Sequence, residues 1–355
     1  MSKTILIVGA GPTGLTAAVE LARFGHQVTI IEKRPGTSQL SRAVGILPAS
    51  MQILHASGVA DRIRQEAVRI SAIALYHEAK EITRIPFGRS ADGHDTILGL
   101  PQDRTEAHLS DALNAMGVSV SYGTPLEAFR QDERSVTASF GGTQAKFDYL
   151  LGADGVRSPV RQILGLPFDG FDIPGKWSIA DVETSEWLEP TVFRRFLIPG
   201  GNVVVVAPMA PTRFRVISST EDALASLPVK MPVEKLRRSA AFTLSVRQTP
   251  QYGKGRVYLA GDAAHCHSPA GGRGMNLGIA DAADFAERLT AGTLAEYSAV
   301  RHAVGKKTIA FSEDRRRNVM SDSPWRRTLM ETGIRIVGRV PPIAHKFAER
   351  FTREL

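Results

Sequence analysis

The residues 9–14 read Gly-Ala-Gly-Pro-Thr-Gly, a G-x-G-x-x-G spacing, and Glu32 stands about 20 residues further on. Such a pattern suits a dinucleotide. Gly9 permits a tight turn, Gly11 lets the backbone approach a pyrophosphate, and Gly14 lets a helix lie close to a strand. A following helix offers free N–H groups and its positive dipole end to phosphate. A carboxylate at Glu32 can accept hydrogen bonds from both ribose hydroxyls of an adenosine, which disfavours a 2′-phosphate there. By itself it does not choose between NAD and FAD. Arg42, ten residues past Glu32, has the fork geometry to fold back over phosphate oxygens, or it is a solvated loop residue.

The elements needed to hold these residues are written around them. The apolar run 4–8 reads as a buried parallel strand, 15–24 as a helix ended by Gly25, and 28–31 as a second strand. Lys33-Arg34-Pro35-Gly36 is a turn by composition. Short helices are expected at 48–56, 59–66 and 105–116, and a hairpin at 70–87. Strands at 127–131, 136–140 and 144–147 read as a meander. A buried strand at 147–153 runs into Gly152-Ala153-Asp154-Gly155-Val156-Arg157-Ser158-Pro159, with a helix expected over 156–164. Between 177 and 246 the pattern is short strands, interrupted by a helical piece at 233–241. The strand 256–260 then meets Gly261-Asp262, and after a Gly-rich loop, 271–274, a helix runs from Met275 to about Leu289.

That last loop has a physical reading of its own. Backbone N–H groups at a glycine-rich helix start place fixed dipoles near a developing negative charge. Asp262 suits a polyol chain as Glu32 suits ribose, or else it is a helix N-cap.

The three motifs G-A-G-P-T-G, L-G-A-D-G-V-R-S-P-V-R and A-G-D-A-A-H-x-x-x-P-x-G-G-R-G-M-N-L, in this order, resemble those of the FAD-dependent aromatic hydroxylases. These are single-component flavoprotein monooxygenases of the p-hydroxybenzoate hydroxylase type, and the polyketide and phenol hydroxylase branch is the most similar. The resemblance covers residues 4–289. It implies an α/β chain: a Rossmann-like FAD-binding domain (1–71 with 100–170 and 251–292), an inserted antiparallel β-sheet substrate domain (72–99 with 171–250) and a helical C-terminal tail (293–355). The polyketide branch carries a further thioredoxin-like domain, which this sequence is expected to lack.

The resemblance also implies roles. Gly9, Gly11, Pro12, Thr13, Gly14, Glu32 and Lys33 would take the ADP half of FAD. Arg42 and Gln102 would lie beside the pyrophosphate and flavin. Asp154 and Gly155, with Arg157, form the motif that serves FAD and a transient NADPH or NADH. Asp262 would bind the ribityl chain, and Pro269 would face the reactive edge of the ring. Gly271, Gly272, Arg273, Gly274, Met275 and Asn276 would bring N–H groups to its pyrimidine end. Oxygen would be delivered through a flavin C4a-hydroperoxide to a phenolic or polyketide-like substrate. The same scaffold also hosts epoxidases, halogenases and reductases, although the halogenase W-x-W-x-I-P is missing. A non-catalytic flavin- or ligand-binding protein is the alternative from another class.

Other residues define what to exclude. His265-Cys266-His267 invites a metal, but only one short loop contributes, so none is expected. His267 lies two residues before Pro269 and could polarise a phenol, or be satisfied by backbone. Phe193, Phe196, Val203, Val205, Phe214 and Val216 are candidate pocket linings, with Arg194, Arg195, Arg213 and Arg215 between them. No run is long and apolar enough to span a bilayer, and the start of the chain does not read as a signal peptide. The single cysteine fits a reducing, cytoplasmic setting. The net charge of +8 resides mostly beyond residue 300, where 13 basic residues face 6 acidic ones at near-helical spacing with apolar residues. That pattern argues for a packed amphipathic helix rather than nucleic-acid binding, and leaves room for peripheral membrane contact.

Overall fold

A computed structural model describes residues 1–37, 43–87, 96–268 and 272–319. Its α-helices among these are α1 (Pro12–Arg23), α2 (Pro48–Ile53), α3 (Val59–Glu66), α4 (Gln102–Ala115), α5 (Pro159–Ile163), α6 (Gly274–Ala291) and α7 (Tyr297–Val319). No helix among the described residues is long and apolar enough to cross a membrane.

Two large sheets organise the chain. The first has the order Gly253–Lys254, Val257–Leu259, Tyr149–Gly152, Thr4–Val8, Gln27–Glu32, Val120–Tyr122, parallel except for the first pair. Ile5, Leu6 and Ile7 are fully buried, as a strand covered on both faces requires. The helix after it, α1, starts with Pro12 at its first turn and ends where Gly25 takes φ +81°. That left-handed residue lets the Gly25 and His26 N–H groups bond the Ala22 and Leu21 carbonyls and close the helix end.

The second sheet has the order Lys235–Phe242, Trp177–Glu183, Arg213–Ser218, Asn202–Ala210, Val192–Ile198, Ala72–His77, Lys80–Pro86. The 70–87 hairpin thus joins the strands that follow residue 177. One pairing is not antiparallel: Val192–Ile198 runs parallel to Ala72–His77. No hairpin links these two strands, so nothing forces them to oppose each other. The meander Leu126–Gln131, Val136–Phe140, Thr143–Phe147 forms a separate antiparallel sheet, as its spacing suggests.

Two expectations are corrected. Residues 235–242 are a strand, not a helix; they pair antiparallel with Trp177–Glu183. Lys, Leu, Arg and Ala favour a helix in isolation, but the open edge of the Trp177–Glu183 strand supplies a full ladder of backbone partners, and tertiary context wins. The helix after the second motif begins at Pro159 rather than 156. The residue before a proline is disfavoured in helical geometry, so Ser158 becomes the N-cap, accepting from Arg161 N–H at 3.0 Å. The helical tail is seen through Val319, and the expectations for 320–355 fall outside the described residues.

Candidate functional site

The order of the parallel sheet sets neighbouring strand ends side by side: Leu259 leads to Gly261 and Asp262, Gly152 to Asp154, Val8 to Gly9, and Glu32 closes its own strand. All lie at the carboxyl edge, where open α/β sheets bind ligands.

At Val8 the chain turns through Gly9 at φ +105°, with Gly9 N–H donating to Ile31 O at 2.8 Å. A Cβ on Gly9 would overlap the Ala153 carbonyl, and one on Gly14 would overlap Gly9 O. Gly11 meets nothing within 4 Å, so the space above it is open for a ligand. Thr13 fills the space that a Cβ on Gly261 or Gly278 would need, locking α1 to α6. Glu32 is buried; its carboxylate accepts from Ala10 N–H at 2.8 Å and Arg34 N–H at 2.9 Å. Burial alone would raise its pKa, but the Arg34 guanidinium and those N–H groups outweigh burial and hold it below the ordinary carboxylate range. Lys33 is exposed beside it. Gln102 begins α4, accepts from Ala43 N–H at 3.1 Å and donates to Glu106 at 2.8 Å. Arg42, Pro269 and Gly271 lie outside the described residues.

At Gly152 the second turn passes Asp154, whose Oδ2 accepts from Val160 N–H at 3.0 Å while the buried Oδ1 has no partner. Burial raises its pKa. Gly155 takes φ +80°, opening the turn before α5. Arg161 ties this turn to the third one, donating to Ala263 O and Val156 O, each at 2.8 Å.

At the third turn, Gly261 takes φ +60° and Asp262 makes no hydrogen bond to any described residue. Asp262 is not an N-cap: Ala260 occupies that position in the short Gly261–Ala263 turn, and Arg273 does so for α6. Gly272 and Gly274 meet nothing within 4 Å at their Cβ positions. The first bond inside α6 is Leu277 N–H to Arg273 O at 2.8 Å, so the N–H groups of Gly274, Met275 and Asn276 have no helical acceptor. The Asn276 side chain is fully used, accepting from Leu47 N–H and Ser50 Oγ and donating to Gly45 O and Gly272 O. Only its backbone is left for a ligand.

A family model described as an FAD binding domain matches residues 2–312. The chain belongs to this FAD-binding family. Rifampicin monooxygenase of Streptomyces venezuelae is 31% identical over 332 residues, 86% of this chain and 69% of that protein. Pentachlorophenol 4-monooxygenase of Sphingobium chlorophenolicum is 32% identical over 302 residues, 78% of this chain and 56% of that protein. The crystal structure of p-nitrophenol 4-monooxygenase from Pseudomonas putida DLL-E4 superposes with a TM-score of 0.88 at 23% identity, covering 99% of this chain and 100% of that one. The chain is an enzyme of the FAD-dependent aromatic hydroxylase type.

The carboxyl edge fits FAD. Its tightest glycines face protein, whereas Gly11, Gly155, Gly272 and Gly274 face open space, and Asp154 presents an unpaired buried carboxylate oxygen at the strand end next to that of Asp262. The FAD-binding chain also uses residues that sequence reasoning missed. Asp281 on α6 is fully buried and accepts from Gly261 N–H at 2.9 Å, His265 at 2.6 Å and Arg301 at 2.6 Å. Burial would raise Asp281, but His265 and Arg301 pull it below the usual range. This cluster fixes the Gly261 turn from behind; Tyr252 stacks on His265 with centroids 5.5 Å apart. Asp281 stands at helical spacing between the buried Leu277 and Phe285, on the apolar stripe of α6, and that was the available signal. His265 is thus engaged as a hydrogen-bond partner of Asp281, and no cluster of metal-ligating residues occurs among the described residues.

Cys266 is buried and its thiol is pushed up to about 12, by burial first and then by Asp262. It stays protonated near neutrality, which disfavours a thioether to flavin. His267 places Nδ1 2.9 Å from Ser268 O, an atom that only accepts, so Nδ1 carries the proton. Its Nε2 is buried and without a partner, and in the neutral ring it is the acceptor nitrogen. Burial lowers its pKa below the ordinary histidine value.

Proposed function

We propose that this chain binds FAD along the carboxyl edge of the parallel sheet and hydroxylates a small aromatic, phenolic or polyketide-like substrate. Molecular oxygen is the cosubstrate, NADPH or NADH the transient reductant, and the cytoplasm the setting. The observation that carries the reading is the meeting of three turns, at 9–14, 154–155 and 261–262, on one edge of one sheet.

Gly9, Gly11, Pro12, Thr13 and Gly14 hold the pyrophosphate side, Glu32 and Lys33 the ribose side, and Arg42 and Gln102 flank them. Asp154 and Gly155 support the middle of the cofactor, and Asp262 receives the ribityl hydroxyls. The N–H groups of 271–276 face the pyrimidine end, with Pro269 at the reacting edge. Bound FAD supplies acceptance of two electrons from the nicotinamide and activation of oxygen for transfer to an electron-rich ring. The protein holds the ring, excludes water and manages the proton of the substrate. His267 Nε2 accepts the proton of the substrate hydroxyl, for which a neutral imidazole is required. Residues 72–99 and 171–250 form the substrate's side of the site. Helix α7 packs against α6.

The test is oxygen uptake with NADPH and with NADH across a panel of phenols. Substrate-stimulated cofactor oxidation with hydroxylated product supports the reading. FAD bound with no stimulated oxygen use would favour a flavin-binding protein without turnover, and anaerobic conversion would favour a reductase.

A further inference from the structure

Four arginines lie on the two strands of the inserted sheet that flank Asn202–Ala210, and their surroundings differ. Arg194 lies over the Trp187 ring at 4.6 Å, bonds Leu188 O and faces Glu189. Arg215 is locked to Asp181 by a buried bidentate pair at 2.6 and 2.7 Å. Arg213 stands at the first residue of its strand, beside a turn, and its Nε has no partner. Arg195 is mid-strand, and its Nε is buried with no hydrogen-bond partner.

The register makes the setting of Arg195 explicit. Across the ladder it sits between Leu75 and Val205. Along its own strand the same face carries Phe193 and Leu197. All four are apolar. Phe193 and Val205 pack with Val44, Ala207 and Met209, and Leu75 and Leu197 pack with Val203 and Trp177. No described carboxylate is paired with Arg195. Burial, followed by the charge of Arg315, lowers its pKa to about 10, so it remains cationic at neutral pH.

This face looks toward the third motif. Val44, packed on Phe193 and Val205, precedes Gly45, whose carbonyl is held by Asn276. From the other side, Arg273 and Arg315 both lie over Phe311 of α7, at 4.4 and 4.3 Å, and the next residue, Ser312, has its Oγ 3.3 Å from His267 Nδ1. Arg195 as a whole is half-buried, but a charged group whose buried Nε has no partner is costly unless something else supplies an acceptor. Here that something would arrive beside the flavin loop.

We propose that Arg195 is the anchor for an oxyanion, a carboxylate or a phenolate, on the aromatic substrate. The proposal rests on the reading of this sheet face as the substrate's side of the active site. It narrows the substrate to an anionic aromatic: the guanidinium fork takes two oxygens of a carboxylate or one phenolate oxygen, and the apolar neighbours cover the ring.

The test uses matched probes read by perturbation of the flavin visible spectrum: 4-hydroxybenzoate against its methyl ester, and pentafluorophenol against pentafluoroanisole. Wild-type protein is expected to bind the anion of at least one pair about ten- to a hundredfold more tightly than its neutral partner. The pair that shows the preference identifies the oxyanion. Arg195→Met should abolish that preference while leaving the neutral partner within a few-fold, and Arg195→Lys should keep part of it. Because Arg195→Met removes a charged group whose buried Nε has no partner, its ligand-free Tm should equal or exceed that of wild type. Absence of an anion preference in wild type, an equal loss on both members of a pair, or a lower Tm with preference intact would each overturn the proposal. All comparisons are made at full flavin occupancy, so loss of FAD, which bears on the flavin reading, is seen separately.

Discussion

At the edge of the parallel sheet the decisive residues have almost no side chains. Gly9 and Gly14 are fixed by the carbonyls a Cβ would strike, and Gly11, Gly272 and Gly274 keep open space at the surface. On the inserted sheet the decisive groups are side chains on an otherwise apolar face: the Asp181–Arg215 pair and the unpaired Arg195. A site built from backbone tolerates few substitutions and leaves a regular glycine spacing. A site built from side chains on strands can vary at every position without disturbing the ladder, so it leaves no motif. On the proposed reading, the first kind holds a constant cofactor, and the second kind sets what is presented to it.

The comparison breaks most visibly at the glycines. Gly14→Ala places a methyl group against Gly9 O and should abolish flavin binding, measured as loss of visible absorbance in folded protein. On the inserted sheet, Asp181→Ala leaves Arg215 buried without a partner and should destabilise the chain by about 3–5 kcal/mol in denaturant unfolding. Replacing both residues by apolar ones of similar size should restore much of that. If Asp181→Ala were neutral, the side-chain half of the contrast would fail.

The buried cluster behind Gly261 gives a smaller, pH-dependent effect. Asp281 has a folded-state pKa below its unfolded value, so it contributes stability that is present above the ordinary carboxylate range and lost as pH falls through the folded value. Asp281→Asn should therefore lower Tm near neutrality and flatten its acid limb. His267 works in the same direction at higher pH: with its pKa lowered, the unfolded chain takes up the proton first, and stability declines as pH drops through about 6.5. His267→Gln should remove that slope. The smallest effect is expected at Cys266, where Cys266→Ser should leave the flavin fully extractable on denaturation.

Sequence legibility follows the same division. The strands around Ile7, Leu151 and Leu259 and the three turns after them could be read because parallel strands are uninterrupted apolar runs and the turns require glycine. The inserted sheet was readable as strands, but not by face. Phe193, Val203 and Val205 share a face with Arg195, whereas Phe196, Phe214 and Val216 lie on the other, in a core covered by Leu224, Leu227 and Met231. Alternation tells which residues share a side and not which side meets the cofactor. The strand Lys235–Phe242 was misread because its helix-favouring residues carry no sign of the edge that captures them. Asp281 and Arg301 escaped notice because their partnership with His265 exists only once α6 and α7 have packed.

The central claim is that loops distant in the chain converge to hold one FAD, with Asp262 on its ribityl chain. The most direct measurement is the flavin content of purified wild-type and Asp262→Ala protein after incubation with FAD, read by visible absorbance and by extraction. The account predicts about one extractable FAD per wild-type chain and loss of most of it in Asp262→Ala. A colourless wild-type protein, or full occupancy in the variant, would contradict it.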